Sequence, residues 1–413
     1  TDDDNDGVGD SSDLCPQTDP GSAVIANGCI DSDSDNIADV FDNCPNGASG
    51  WTSGTNSDHD SDGCLDGDVR VLDEQYSSSG GANSDWTLDV VSDSSGNSYV
   101  TGYFEGVAYF GNFSLTSSGG ADVFVGKIDI NGIWQWVISG GSTGNDTGTS
   151  IDINSQGDLY ITGFFGDLFE FRTGINSCVS ATFGSSVFSC TGHRDVFVAK
   201  VTTEGAWQWA VRVVSPVSHW GGDEDRGAAI AVDDDGNAYV TGVYDDEITF
   251  GSTTLETNWW SGGDIFIAKI SPNATWEWAL SHTSRLFASN VNGIALDGDN
   301  NSYITGSFQA EPVGNNGAHG PTCFGSSNCM YSNGDSRDIF VAKANSTGSW
   351  VWAVRGGTAA NASSNCGAMH CEDGANGITV EDGGQVYITG FFKGYGTFGT
   401  TNLTSNGGSD IYI

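Results

Sequence analysis

An internal repeat constrains this chain more than any other feature. Gly/Asn-x-x-Tyr-[VI]-Thr-Gly recurs around Tyr99, Tyr160, Tyr239, Tyr303 and Tyr387. Asp-x-Phe-[VI]-x-Lys follows at Asp122–Lys127, Asp195–Lys200, Asp264–Lys269 and Asp338–Lys343. Trp-x-Trp closes the first four copies, at Trp134/Trp136, Trp207/Trp209, Trp276/Trp278 and Trp350/Trp352. Between the first two elements stands Phe-Gly, at Phe110, Phe183, Phe250, Phe324 and Phe398. A chain with such a period makes one supersecondary unit many times and buries its core between neighbours.

Each copy reads as a small antiparallel sheet. Ile/Val alternation leads into an Asp/Gly/Asn turn, for instance Asp233-Asp234-Asp235-Gly236-Asn237, and then the Tyr-x-Thr-Gly strand. Asn131-Gly132 and its equivalents turn into Trp-x-Trp, and Asn-Gly between apolar alternations is a strong hairpin signal. Tryptophans at i and i+2 predict two rings on one strand face, read as packing between sheets rather than a sugar-stacking surface. The repeated Asp and Lys stand five apart, on opposite faces. They are read as bonds between repeats, not as a catalytic pair. The chain's 60 Gly against 7 Pro suit short strands joined by tight turns.

The expected fold is all-β: a β-propeller of about five four-stranded blades over residues 69–413. The Tyr-[VI]-Thr-Gly, Asp-x-Phe-[VI]-x-Lys and Trp-x-Trp elements resemble the bacterial SBBP repeat, named for seven-bladed propellers; the five copies here depart from that name. The fifth copy reaches Asp410-Ile411-Tyr412-Ile413 without a Trp-x-Trp. Residues 69–76, beginning Val69-Arg70-Val71, read as a displaced last strand. That strand, further sequence or a neighbouring molecule are the three ways to complete the blade, since an open edge invites aggregation.

Residues 1–68 are of another kind, with 17 Asp and no Glu, Lys or Arg. Asp2, Asp4, Asp6, the Val8 carbonyl, Asp10 and Asp13 take the ligand offsets of a twelve-residue calcium loop, with Gly7 at the sharp turn. Asp31, Asp33, Asp35, Ile37, Asp39 and Asp42 repeat them, with Asn36 in the turn. A third run, Asp58, Asp60, Asp62 and Asp66, matches through the ninth position and then has Val69 at the twelfth. An Asp-rich tract alone would read as a disordered linker. Two complete loops, each stopped by Cys-Pro, point instead to Ca2+ at two sites, with a third weaker or completed by another group. No helical period flanks the loops, so a sensor that opens a helix pair is not expected. These D-x-D-x-D-G/N-[VI]-x-D-x-x-D-x-C-P runs resemble thrombospondin type 3 repeats. The resemblance implies a chain wrapped around a line of calcium ions, with disulfides in place of a core.

Ten cysteines fall in near pairs: Cys15/Cys29, Cys44/Cys64, Cys178/Cys190, Cys323/Cys329 and Cys366/Cys371. Nearest-neighbour disulfides in an oxidising compartment are expected, with zinc the runner-up but no Cys-x-x-Cys to hold it. Asn112, Asn145, Asn273, Asn300, Asn345, Asn361 and Asn402 head glycosylation sequons. Trp259 and Trp260 lie outside the repeat and are candidate ligand contacts, as are the insertions at 166–191 and 309–333.

The formal charge of −41 disfavours nucleic acid and anionic membranes as partners. No stretch is long and apolar enough to span a membrane. A secretory leader is not visible, and the N-terminal part of a precursor is expected to be absent. No Gly-x-Ser-x-Gly, His-Glu-x-x-His or phosphate loop occurs; the acidic pairs Glu224/Asp225 and Asp245/Asp246/Glu247 are the residues a polysaccharide hydrolase would use. The expectation is a non-enzymatic, secreted or cell-surface structural protein, a calcium-stiffened connector plus a propeller body, repeating head to tail into a fibre or layer. The alternative is a lectin-like or adhesion propeller that binds glycans or proteins through its disulfide loops.

Overall fold

The computed structural model is all-β. It describes residues 80–413 apart from 168–178, 190, 192–193, 216–224, 258–262, 284–288, 311–319, 333–336, 359–372 and 382, together with Cys15, Cys29 and Ser32. The chain divides into two compact parts, Thr1–Tyr76 and Ser77–Ile413. In the first, Cys15 and Cys29 form a disulfide. The displaced strand expected at 69–76 lies outside the described residues.

The second part is a succession of modules, each an antiparallel sheet in sequence order. The first runs Asp85–Ser92, Ser98–Phe110, Phe113–Ile128 and Trp134–Gly140. The second runs Asn145–Ile153, Leu159–Asp167, Asp195–Val201 and Trp207–Arg212. Arg226–Val232, Ala238–Tyr244, Asp264–Ile270 and Trp276–Thr283 make the third. Asn290–Leu296, Ser302–Phe308, Asp338–Asn345 and Ser349–Thr358 make the fourth. The fifth has Gly374–Val380, Val386–Phe398 and Thr401–Tyr412. Phe-Gly sits at the tip of a hairpin between the second and third strands, where the Gly takes a φ between 58° and 72° that a two-residue turn requires.

Two local irregularities recur and explain the repeat's sequence. A bulge in the first strand brings its carbonyl over the Gly of Tyr-x-Thr-Gly. A Cβ there would stand 1.9 Å from Trp86 O at Gly102, 1.9 Å from Thr147 O at Gly163 and 2.1 Å from Arg226 O at Gly242, so only glycine fits. A second bulge shifts the register between Lys127 and Ile128, which face Trp136 and Trp134 respectively. The two tryptophans therefore point to opposite faces, contrary to the one-face expectation, because the extra residue cancels the strand's period of two. Trp134 packs edge-on against Phe110 of its own hairpin at 5.1 Å, whereas Trp136 joins the cluster shared with the second module.

The core lies between modules. Val123 and Val125 of the first cluster with Ile161 and Phe197 of the second. Val196 and Val198 cluster with Val240 and Phe266, and Ile265 and Ile267 with Ile304 and Phe340. Each third strand thus turns its Val/Ile residues to the next module and its Phe to the preceding one, as alternation dictates. The tail of each fourth strand then crosses to the next hairpin: Gly141 pairs with Thr182, Val214 with Thr249, Thr283 with Cys323 and Gly357 with Thr397. Gly80 pairs with Tyr109 at the same hairpin position of the first module.

Candidate functional site

The repeated polar side chains converge in two places. One is the corner between first and second strands. Asp297 accepts hydrogen bonds from Asn301 Nδ2, from Tyr303 Oη at 2.9 Å and from Lys343 Nζ at 3.1 Å. Burial alone would raise its pKa, but these donors hold it down at about 2. Lys343 lies over the Tyr303 ring, 4.7 Å from its centroid, and Lys127, Lys200 and Lys269 lie over Tyr99, Tyr160 and Tyr239. The lysine was expected to join neighbouring repeats. It bonds within its own module instead, because register sets it directly opposite the tyrosine: Tyr99 faces Lys127 and Tyr303 faces Lys343.

The other place is the seam between modules. Within each of the first four modules the Thr of Tyr-x-Thr-Gly donates to the third-strand Phe carbonyl: Thr101 to Phe124 at 2.9 Å, Thr162 to Phe197 at 3.0 Å, Thr241 to Phe266 and Thr305 to Phe340 at 2.7 Å. The second tryptophan reaches over the seam: Trp136 Nε1 donates to Thr203 O at 2.8 Å, Trp209 to Pro272 O at 2.9 Å and Trp278 to Ser346 O at 3.2 Å. First strands are tied too, with Asp89 accepting from Ser150 Oγ and Ile151 N, and Asp152 from Val232 N. Burial, with Asp89 nearby, raises the Asp152 pKa to about 6.

The Asp of Asp-x-Phe, expected to bond between repeats, stands at the crossing and bonds within its own module: Asp122 accepts from Ser118 N, Asp195 from Thr191 N and Asp338 from Arg355. This Asp meets there an acid from the next module's first strand. Asp146 accepts from Ser142 N at 2.5 Å and Gly166 N at 2.8 Å, and Asp373 from Thr358 N at 2.6 Å and Lys393 N at 3.0 Å. Asp225 accepts from Asp245 N at 2.9 Å, and Asp85 accepts from Gly81 N and Glu105 N. Sequence reasoning missed this residue, taking Asp225 only as half of an acidic pair. Its signal was an acid just ahead of a Gly that opens an apolar run, as in Asp146-Thr147-Gly148 and Asp225-Arg226-Gly227. At the third seam Ser289 takes that place and bonds His282 Nε2 at 2.9 Å. Burial lowers the His282 pKa to about 3, so the ring is neutral and its 3.9 Å approach to Asp264 is no ion pair.

Other expected positions distribute as follows. Cys323 and Cys329 are bonded and sit directly opposite each other in the fourth module's hairpin. Asn112 and Asn273 are exposed at turn tips. Asn145 and Asn345 have their Oδ1 engaged by Ala121 N and Ser349 N, Asn402 Oδ1 accepts from Thr397 Oγ1, and Asn300 adopts a left-handed φ of 59°. The calcium-loop residues from Asp2 to Asp66, Cys44, Cys64, Cys178, Cys190, Cys366, Cys371, Asn361, Glu224, Trp259 and Trp260 lie outside the described residues. Among the described residues no group of three or more His, Cys, Asp or Glu is arranged to hold a metal.

No known family profile matches the chain. A 309-residue stretch is 25% identical to an uncharacterised WD repeat-containing protein of Acanthamoeba polyphaga mimivirus, over 64% of this chain and 22% of that protein. The chain thus spans about a fifth of that relative's length. The all-β fold and this similarity fit a β-propeller.

Proposed function

We propose that the chain is a non-enzymatic structural component of an extracellular or cell-surface assembly. Its body is a propeller of about five blades, one per module, and residues 1–68 form a connector stiffened by Ca2+ and disulfides. One observation carries this reading: the side chains repeated in the first four modules are engaged in holding the fold. Trp stitches seams, Asp stands at their crossings, Thr bonds the neighbouring strand, and Lys covers the Tyr corner. Repeated residues so engaged serve a body rather than a catalytic centre.

Assembly head to tail is supported by two exposed apolar faces at opposite ends of the module order, which meet between copies where the ring of modules stays open and within one copy where it closes. Trp86, Leu88 and Val90 are exposed on the first module, and Tyr387, Ile411 and Ile413 on the fifth. Two different patches that meet across copies make a heterologous contact, which propagates. Sedimentation velocity and electron microscopy, with calcium and then with chelator, test the proposal. Long assemblies in calcium that shorten on chelation are the expected result. A monodisperse monomer in calcium would count against assembly, and turnover of a polysaccharide against the structural reading itself.

A further inference from the structure

The four seams share one geometry but differ in charge. At the second, Arg212 stands 3.4 Å from Asp195, and at the fourth Arg355 stands 2.8 Å from Asp338. The third has a neutral His282 and Ser289. At the first, the position of those arginines is Ser139, which faces Phe124 as Arg212 faces Phe197 and Arg355 faces Phe340. Two acids nevertheless remain. Asp122 and Asp146 are 2% and 0% exposed. A Cβ on Gly141 would stand 2.7 Å from Asp122 Oδ1 and 2.7 Å from Asp146 Oδ2, so the two carboxyls converge on the crossing glycine.

Their hydrogen bonds leave one gap. Asp146 is surrounded by donors, namely Ser142 N, Ser142 Oγ and Gly166 N. Asp122 Oδ2 accepts from Ser118 N at 2.9 Å, while its Oδ1 is buried and meets no donor. Two ionised carboxylates at this separation, away from water, repel strongly. A single proton between them supplies the missing donor and turns repulsion into a charge-assisted O–H···O⁻ bond.

We infer that Asp122 and Asp146 hold one proton in common, making the seam between the first and second modules the joint that loosens as the surroundings turn alkaline. Burial raises the pKa of both acids, that of Asp146 to about 7 with the charge of Asp122 adding to it, while a hydrogen bond from Asp146 works to lower that of Asp122. Other charged groups of this seam are engaged elsewhere: Asp89 with Ser150 and Ile151, Asp152 with Val232, and Arg194 stacked on Phe164. Asp167, beside Gly166, is a further acid whose side chain is not described. The sign follows from linkage. A folded-state pKa above the unfolded 3.8 means that the folded seam binds the extra proton. Its stabilisation is complete below about pH 4 and is lost as pH rises through about 7.

Amide hydrogen exchange at Gly141 and Thr182, whose mutual hydrogen bonds of 3.0 and 2.8 Å close the seam, reads this directly. After correction for intrinsic rates, protection should fall about tenfold between pH 5.5 and 8, and by less at Gly357 and Thr358, where burial also raises the pKa of Asp373 but Arg355 offsets the charge of Asp338. Asp122→Asn, the shape of the neutral acid with a permanent donor, should abolish the slope and keep the seam closed at pH 8. Ser139→Arg, which installs the cation of the fourth seam, should flatten it by another route. Wild-type protection that does not vary with pH, or a slope that persists in both variants, overturns the inference.

Discussion

The third and fifth modules carry the same second strand, Tyr-[VI]-Thr-Gly, and live in different surroundings. Tyr239 is 0% exposed and Tyr387 41%. Ile265 and Ile267 are fully buried, whereas their counterparts Ile411 and Ile413 are 83% and 91% exposed. On the first-strand side the pairing is alike, since Tyr239 faces Ala231 and Tyr387 faces Thr379; on the other side Tyr239 also faces Lys269, and the third strand of the fifth module pairs only from Gly390 onward. The difference comes from the following module together with Trp278 and Lys269 of the third module itself, which have no counterpart among the described residues of the fifth. The face that the fourth module covers on the third is open on the fifth. A module's motif therefore specifies a surface rather than a core, and the next module converts it into one.

The largest effect should come from removing the tyrosine. Tyr239 packs edge-on against Trp278 at 5.9 Å beneath Lys269. Tyr239→Ala should cost about 3–5 kcal/mol, the range for emptying a buried aromatic site. Tyr387→Ala should cost less than about 1 kcal/mol, as at an exposed position. Urea midpoints of the two variants, followed by tryptophan fluorescence, make the comparison. Equal losses would mean that neither Trp278 and Lys269 nor the following module contributes much to holding the tyrosine.

Much of this organisation was legible beforehand, and the failures have physical causes. The period of the repeat and its turn residues marked the modules, since Asn-Gly and Asp-rich turns have few other uses. Nearest-neighbour pairing of Cys323 with Cys329 was readable because a hairpin sets close cysteines opposite one another. The facing of Trp134 and Trp136 was not readable. A bulge is one uncounted residue, and strict alternation cannot reveal it. The lysine's destination was likewise hidden, because facing depends on which residue of the second strand it opposes. The acids of the first strands escaped because an Asp ahead of a Gly reads as a turn. Only the crossing of a neighbouring strand turns it into a seam.

Glycines in the turn before Trp-x-Trp sharpen the comparison. Gly132 and Gly348 adopt φ of 75° and 79°, where any side chain is strained. Gly348 also lies under the preceding module's Trp278, and a Cβ would stand 2.6 Å from the indole; at Gly132 it would meet nothing within 4 Å. Gly132→Ala should therefore cost the backbone strain alone, about 1 kcal/mol. Gly348→Ala adds overpacking against the ring, for about 2–4 kcal/mol in all. Thermal midpoints measured side by side separate the terms. Identical shifts would show that the tryptophan yields freely and that the clamp to Ser346 O is weak.

The smallest contrast concerns the threonine hydroxyl. Thr305 is fully buried and donates to Phe340 O at 2.7 Å, whereas Thr389 is exposed. Valine keeps the shape and removes the donor. Thr305→Val leaves a buried carbonyl short of one partner, a loss of about 1 kcal/mol. Thr389→Val replaces a hydroxyl that water already serves, and should change stability by less than about 0.5 kcal/mol. Because Thr305 bonds the third strand of its own module in a buried site and Thr389 is exposed, the gap between the two variants measures what burial adds to a single hydrogen bond. A vanishing gap would place that bond's strength in the strand, and the seam's cohesion in its apolar cluster and tryptophan clamps.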